Sequence, residues 1–219
     1  MAKVLVLFYS RTGNTAALAD AIAEGARSVR FTEVDVRRLE DLAPESVVAA
    51  QPEWQASRDR LRGQYRTLGD PNEIVEYDAL VLGAPTRYGV MAAELKLFLD
   101  TLGPLWMQGA LVDKVGAAFT SVQTAHGGHE LTLQSIMTPM CNLGMIIAPP
   151  GYTDPVMFRG GSPYGATATT GAAGPTEDDL AAARHQGARV ARIAGWVRHA
   201  KGHEAGHSHS HEGGHHHHH

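Results

Sequence analysis

The chain has 219 residues, 43% of them hydrophobic and 19% charged, and carries a formal net charge of −4. That length suits one α/β domain with a sizeable core, taken here as residues 1–200, and the weak acidity gives no electrostatic reason to expect nucleic acid or an anionic membrane as a partner. No apolar run reaches the length of a membrane span. The apolar stretch after Lys3 is too short for a secretory signal and is cut by Arg11, so a cytoplasmic protein is expected. The single cysteine, Cys141, excludes an internal disulfide and agrees with a reducing compartment. Ile147 stands where a phosphatase-type loop would need its arginine, so Cys141 is expected to be simply buried.

The first predicted element carries the most information. Val4, Leu5, Val6, Leu7 and Phe8 form a short continuous apolar run, which predicts a strand buried on both faces. It stops at Ser10, Arg11, Thr12, Gly13, Asn14 and Thr15. Three of these side chains are hydroxyls, Gly13 permits a tight turn or a close ligand, and Asn14 or Thr15 is suited to cap the helix expected through Leu18, Ile22 and Ala26. Free amides at such a helix start face an anion. The ATP-type cradle ending in Gly-Lys-Ser/Thr is missing, no lysine occurs between Lys3 and Lys96, and Gly13 stands alone where a dinucleotide fingerprint needs three glycines. One phosphate held by hydroxyls fits better than a triphosphate or a dinucleotide. A plain polar turn with a capping residue is the competing reading.

Strands and helices then alternate. Strands are predicted at Phe31 to Arg37, Tyr77 to Gly83, Val115 to Ser121 and Met145 to Ala148, with helices at about 92–102, 131–142 and 177–198. This βαβ repetition predicts a doubly wound, five-stranded parallel sheet with helices on both faces and a ligand at the carboxyl ends of its strands. Residues 40–73, with Trp54 and several arginines, read as an inserted helix and loop, with the aromatic residues packed and the arginines solvated. Residues 150–175 are too rich in Gly, Pro and Thr for a helix, and a loop that long is functional or packs at an interface. Beyond Lys201 the chain is rich in Gly and His and is expected to be disordered. Nine of the 13 histidines lie at or after His203, and the last five have the form of a purification tag.

Two further strand ends belong beside the first in this topology. One is Pro85, Thr86, Arg87, Tyr88 and Gly89; the other is Ser121, Val122, Gln123, Thr124, Ala125, His126 and Gly127. Small residues allow backbone to approach a flat ring closely, amides and Gln123 offer donors, and Tyr88 offers a wall. Arg87 is the candidate for a positive charge at the ring edge, against the alternative of a solvated loop arginine. His126 and His129 read as solvated, since two histidines without a third ligand complete no metal shell.

The turn Ser-x-Thr-Gly-Asn-Thr after a first strand resembles the phosphate loop of flavodoxin-like proteins, which holds FMN. With the segments G-x-PTRYG, LKLFLDTLGPLW, GGHE, PPGYTD and GGSPYGAT, all in order from residue 3 to about 198, the chain resembles the tryptophan-repressor-binding-protein (WrbA-like) family of type IV NAD(P)H:quinone oxidoreductases. The resemblance implies a flavodoxin-like fold, non-covalent FMN, NADH or NADPH as co-substrate, two-electron reduction of quinones, and assembly as a homodimer to homotetramer. It places the three loops around FMN and puts Trp106 on the wall of the quinone pocket. The leucine spacing around Trp106 alone reads equally as core or interface. Two departures change the expected site: Thr12 replaces a common tyrosine, and Asn142 replaces a histidine, keeping a hydrogen-bonding group but no proton to carry near neutral pH. The loop at 121–128 is also one residue longer than the commonest form. Two rival functions follow from the same fold: a one-electron carrier, and a flavin-binding interaction protein without turnover.

Overall fold

The computed structural model describes the backbone of residues 1–208 and side chains as far as residue 203. Its centre is the first apolar run. β1 (Ala2–Phe8) pairs in parallel with β2 (Thr32–Arg38) on one side and β4 (Ala79–Arg87) on the other. Its alternating side chains serve two cores: Val4, Val6 and Phe8 pack with Leu18, Ile22 and Val190, while Leu5 and Leu7 pack with Leu80, Leu82 and Leu95. α1 (Asn14–Arg27) and α7 (Glu177–Ser208) cover the first face. α4 (Ala93–Asp100), α5 (Gly103–Met107) and α6 (His129–Asn142) cover the second.

The described sheet has eight strands, not the five expected. β3 (Arg66–Thr67) extends the edge at β2, and β5 (Val90–Met91) folds back antiparallel on β4. β6 (Val115–Val122) lies in register beside β4, from Ala79↔Val115 to Pro85↔Ser121. The position beyond β6 is shared by two short strands: β7 (Ile146–Ile147) pairs with Val115 and Gly116, and β8 (Ala166–Thr169) pairs with Phe119 to Val122. Part of the presumed loop at 150–175 is thus a strand. Its composition reads as loop, but pairing against β6 decides its conformation.

Splitting that strand leaves the middle of β6 without a ladder partner on one side. Gln186 of α7, fully buried, fills the gap: its Nε2 donates to the Ala118 carbonyl at 2.9 Å and its Oε1 accepts from the Ala166 amide at 2.7 Å.

The insertion after β2 folds as α2 (Glu45–Ala49), α3 (Pro52–Gln64), β3 and a 3₁₀ turn at Pro71–Glu76. Arg58 is not solvated there; it is buried and paired with Glu45 at 2.7 Å. Cys141 is exposed, because the inward face of α6 is taken by Leu133, Ile136, Met137 and Met140. The Gly- and His-rich stretch also differs from expectation in part: residues 201–208 continue α7, while the remainder lies outside the described residues.

α1 and α7 approach backbone to backbone. A Cβ on Gly25 would stand 1.9 Å from the Arg184 carbonyl oxygen, and one on Gly187 would stand 1.9 Å from that of Ile22. Gly187→Ala therefore forces the helices apart and is expected to lower stability by about 1–3 kcal/mol. Gly195→Ala, on the same helix with open space around it, is expected to be neutral or slightly stabilising. Urea unfolding of both variants beside the parent checks the pair.

Candidate active site

The carboxyl ends of β1, β4 and β6 open into a cleft of about 1150 Å³. The turn leaving β1 forms its floor. Gly13, not Asn14 or Thr15, is the N-cap of α1; it takes φ = 102° and has no side chain of its own with which to cap the helix. Ser10 Oγ accepts instead from the amides of Gly13 (3.1 Å) and Ala16 (3.3 Å), curling the turn around its own hydroxyl. Among the described residues the amides of Asn14 and Thr15 have no acceptor. They are the free donors that an anion at a helix start uses. Thr15 Oγ1 lies 2.8 Å from Ser121 Oγ, tying the turn to the end of β6.

The end of β4 is a hairpin. Tyr88 and Gly89, at φ = 55° and 85°, form a two-residue turn between the paired Arg87 and Val90. A positive φ is strained for tyrosine, and the ring stands fully in solvent at the mouth of the cleft. Thr86 holds the hairpin to the next loop: its Oγ1 accepts from the Gly89 amide at 3.2 Å and from Thr132 Oγ1 at 2.8 Å, and donates to the Gly127 carbonyl at 3.4 Å. Gly128, at φ = 97°, lets the two loops touch; a Cβ there would stand 2.7 Å from Gly89 Cα. Arg87 Nη1 donates to the Thr86 carbonyl at 2.9 Å.

The insertion supplies another wall. Arg11 lies 3.7 Å over the ring of Trp54 and donates to Gln51 Oε1 at 2.8 Å. Trp54 Nε1 donates to Asp41 Oδ1 at 2.9 Å, and the same oxygen accepts from the Tyr9 hydroxyl at 2.8 Å. Burial, then the nearby Glu94 and Asp41 carboxylates, raise the Tyr9 pKa far above the usual phenol range. Tyr9 is therefore a fixed donor and no proton source.

The profile of the NADPH-dependent FMN reductase family matches residues 2–154. The chain belongs to that family. It is 42% identical over 202 residues to the NAD(P)H dehydrogenase (quinone) of Chromohalobacter salexigens, covering 89% of this chain and 98% of that protein. It is 44% identical over 196 residues to the NAD(P)H dehydrogenase (quinone) of Archaeoglobus fulgidus, with the same coverage. Among solved structures, a WrbA-like flavodoxin from Agrobacterium tumefaciens superposes with a TM-score of 0.63 at 23% identity, over 90% of this chain and 99% of that one. The fold is flavodoxin-like, and the resemblance to WrbA-like quinone oxidoreductases holds.

FMN fits the cleft on the structure's own terms. The turn offers free amides and hydroxyls for one phosphate, and Gly13, at positive φ, brings no side chain into it. The cleft lining includes Arg11, Thr12, Asn14, Thr15, Pro85, Thr86, Arg87, Tyr88, Ser121, Val122 and Gln123, with Ser10 and Gly13 forming the turn beneath.

Other expected site residues lie elsewhere. Thr124, Ala125, His126 and Gly127 are outside the lining, in a turn closed by the Gly127 amide on the Thr124 carbonyl. Asn142 ends α6, which starts beside the cleft and runs back to the amino-terminal end of β6; its amide donates to Thr138 O at 3.1 Å. Trp106 is 56% exposed on α5 and does not reach this chain's cleft. Conversely, Gln51, Trp54 and the Thr170–Ala172 turn line the cleft without having been expected to. An arginine and a tryptophan in an otherwise polar insertion were the only signal for the first two.

Asp41→Ala removes the acceptor shared by Tyr9 and Trp54. The buried hydroxyl is left unpaired, so a loss of about 1–3 kcal/mol is expected, together with a red shift of tryptophan emission. In a Tyr9→Phe background the same substitution should cost less, which chemical denaturation of the double-mutant cycle checks.

Proposed function

We propose that this chain is an FMN-dependent NAD(P)H:quinone oxidoreductase acting in the cytoplasm as one domain. The observation that carries the reading is a single-phosphate turn at the carboxyl ends of β1, β4 and β6, in a chain similar over 98% of their length to proteins named NAD(P)H dehydrogenase (quinone). FMN, when bound, supplies the centre that accepts hydride and passes two electrons on to a quinone. The protein's part is placement. Ser10, Thr15 and the first amides of α1 hold the phosphate; the Thr86–Gly89 hairpin and the Ser121–Gln123 strand end flank the ring; Arg87 supplies positive charge at its edge. The open cleft leaves room for NADH or NADPH and the quinone to bind in turn. Length-wide similarity to enzymes favours this over a one-electron carrier or an interaction protein without turnover.

The test is the pigment and its turnover. Chromatography of the extracted cofactor should give FMN, and NADH oxidation should accelerate with added benzoquinone. Recovery of FAD, or bound FMN with no quinone-dependent oxidation, overturns the reading.

A homodimer or homotetramer belongs to the same proposal. Trp106, Met107 and Leu131 are 56%, 75% and 67% exposed, an unusual cost for α5 and α6 unless another copy covers them. Trp106 would then wall the quinone site, and Asn142 would meet a cofactor, only across such an interface. Dilution into the monomer range should abolish quinone turnover while FMN stays bound; light scattering and assay on the same samples decide it.

A further inference from the structure

α3 carries three arginines at alternate positions, and two have carboxylate partners. Arg58 donates to Glu45 at 2.7 and 2.8 Å, and Arg62 pairs with Glu40 at 3.2 Å. Arg60 has no ion-pair partner among the described residues. Its Nη2 instead reaches the turn after β1, 2.6 Å from where a Cβ on Gly13 would stand, although Arg60 is not itself among the residues lining the cleft.

The turn that Arg60 reaches is itself electropositive. The amino terminus of α1 already presents partial positive charge, its first turn has no acidic side chain, and Arg11 adds a second guanidinium at the same turn. Arg11 is engaged by Trp54 and Gln51, whereas Arg60, near Tyr65 and with no ion-pair partner among the described residues, also reaches the turn. An anion between the guanidinium and the free amides turns this repulsion into attraction, and a planar donor fork matches two phosphate oxygens.

We propose that Arg60 is a cofactor ligand supplied by the insertion, its guanidinium reaching the FMN phosphate at the turn that Ser10 and the amides of Asn14 and Thr15 form. The proposal rests on the FMN reading above. It makes the insertion a clamp whose grip is on the charge of the phosphate monoester, so that FMN is held by electrostatics as well as by neutral donors.

Flavin fluorescence titrations of the full-length, flavin-stripped protein test it, using FMN and the phosphate-free riboflavin at low and high salt. Arg60→Gln should weaken FMN by about tenfold to a hundredfold and leave riboflavin unchanged, with Arg60→Lys in between. The parent should lose FMN affinity with salt more steeply than Arg60→Gln does. Arg60 is exposed and unpaired, so the melting temperature of the stripped variants should match that of the parent. Equal FMN affinity in Arg60→Gln and the parent, or an equal loss of FMN and riboflavin, overturns the proposal while leaving FMN as the cofactor. A parent that binds no FMN overturns both.

Discussion

Everything at the cleft depends on how the chain leaves β1. An α-helix that starts directly behind a buried strand has amides with no partner, and the cheapest remedy is a side-chain cap. Here the capping position is Gly13 in the left-handed region, and Ser10 satisfies only two of the amides from within the turn. The helix start is left charged and open. The same glycine admits Arg60 from above, and the Thr15–Ser121 hydroxyl pair fixes the turn's distance from the neighbouring strand end. One backbone conformation thus shapes the floor of the site and its spacing from the next strand end.

The far side of the cleft depends on a less visible device. Splitting the last strand would normally leave β6 with unpaired groups in the core and the chain beyond it loosely held. Gln186 removes that penalty by bonding both sides of the gap. β8 is then held against the upper half of β6, and the chain leaving it is pinned where the Thr170 amide donates to the Val122 carbonyl at 2.8 Å. That contact carries Thr170 to Ala172 to the cleft wall.

The central sheet was legible because its strands are read locally: continuous apolar runs at β1, β4 and β6, and small polar residues at their ends. Those ends do meet, as βαβ topology requires. β8 was not legible, since Ala166–Thr169 is a strand only by virtue of β6. Gln186 was not legible either, because a glutamine in a helical pattern gives no sign of lying at the gap in a split strand. The insertion escaped for a different reason. Trp54 and the arginines of α3 were assigned to packing and solvent from composition alone, yet burial of Arg58 and the approach of Arg60 to Gly13 depend on where α3 docks.

The same distinction explains Trp106 and Asn142. Both were placed at the site through family likeness, which describes where a residue acts in an assembly and carries no information about which copy supplies it. Within one chain the geometry separates them from the cleft: α6 runs the length of the sheet, so its last residue lies at the end opposite its first, and α5 presents Trp106 outward. Residues supplied by loops at strand ends complete a site within one chain, because the topology gathers those ends. A residue at the far end of a helix is not gathered there by the topology. The gathered strand ends therefore make a cleft within one chain, whereas Trp106 on α5 and Asn142 at the end of α6 stand apart from it.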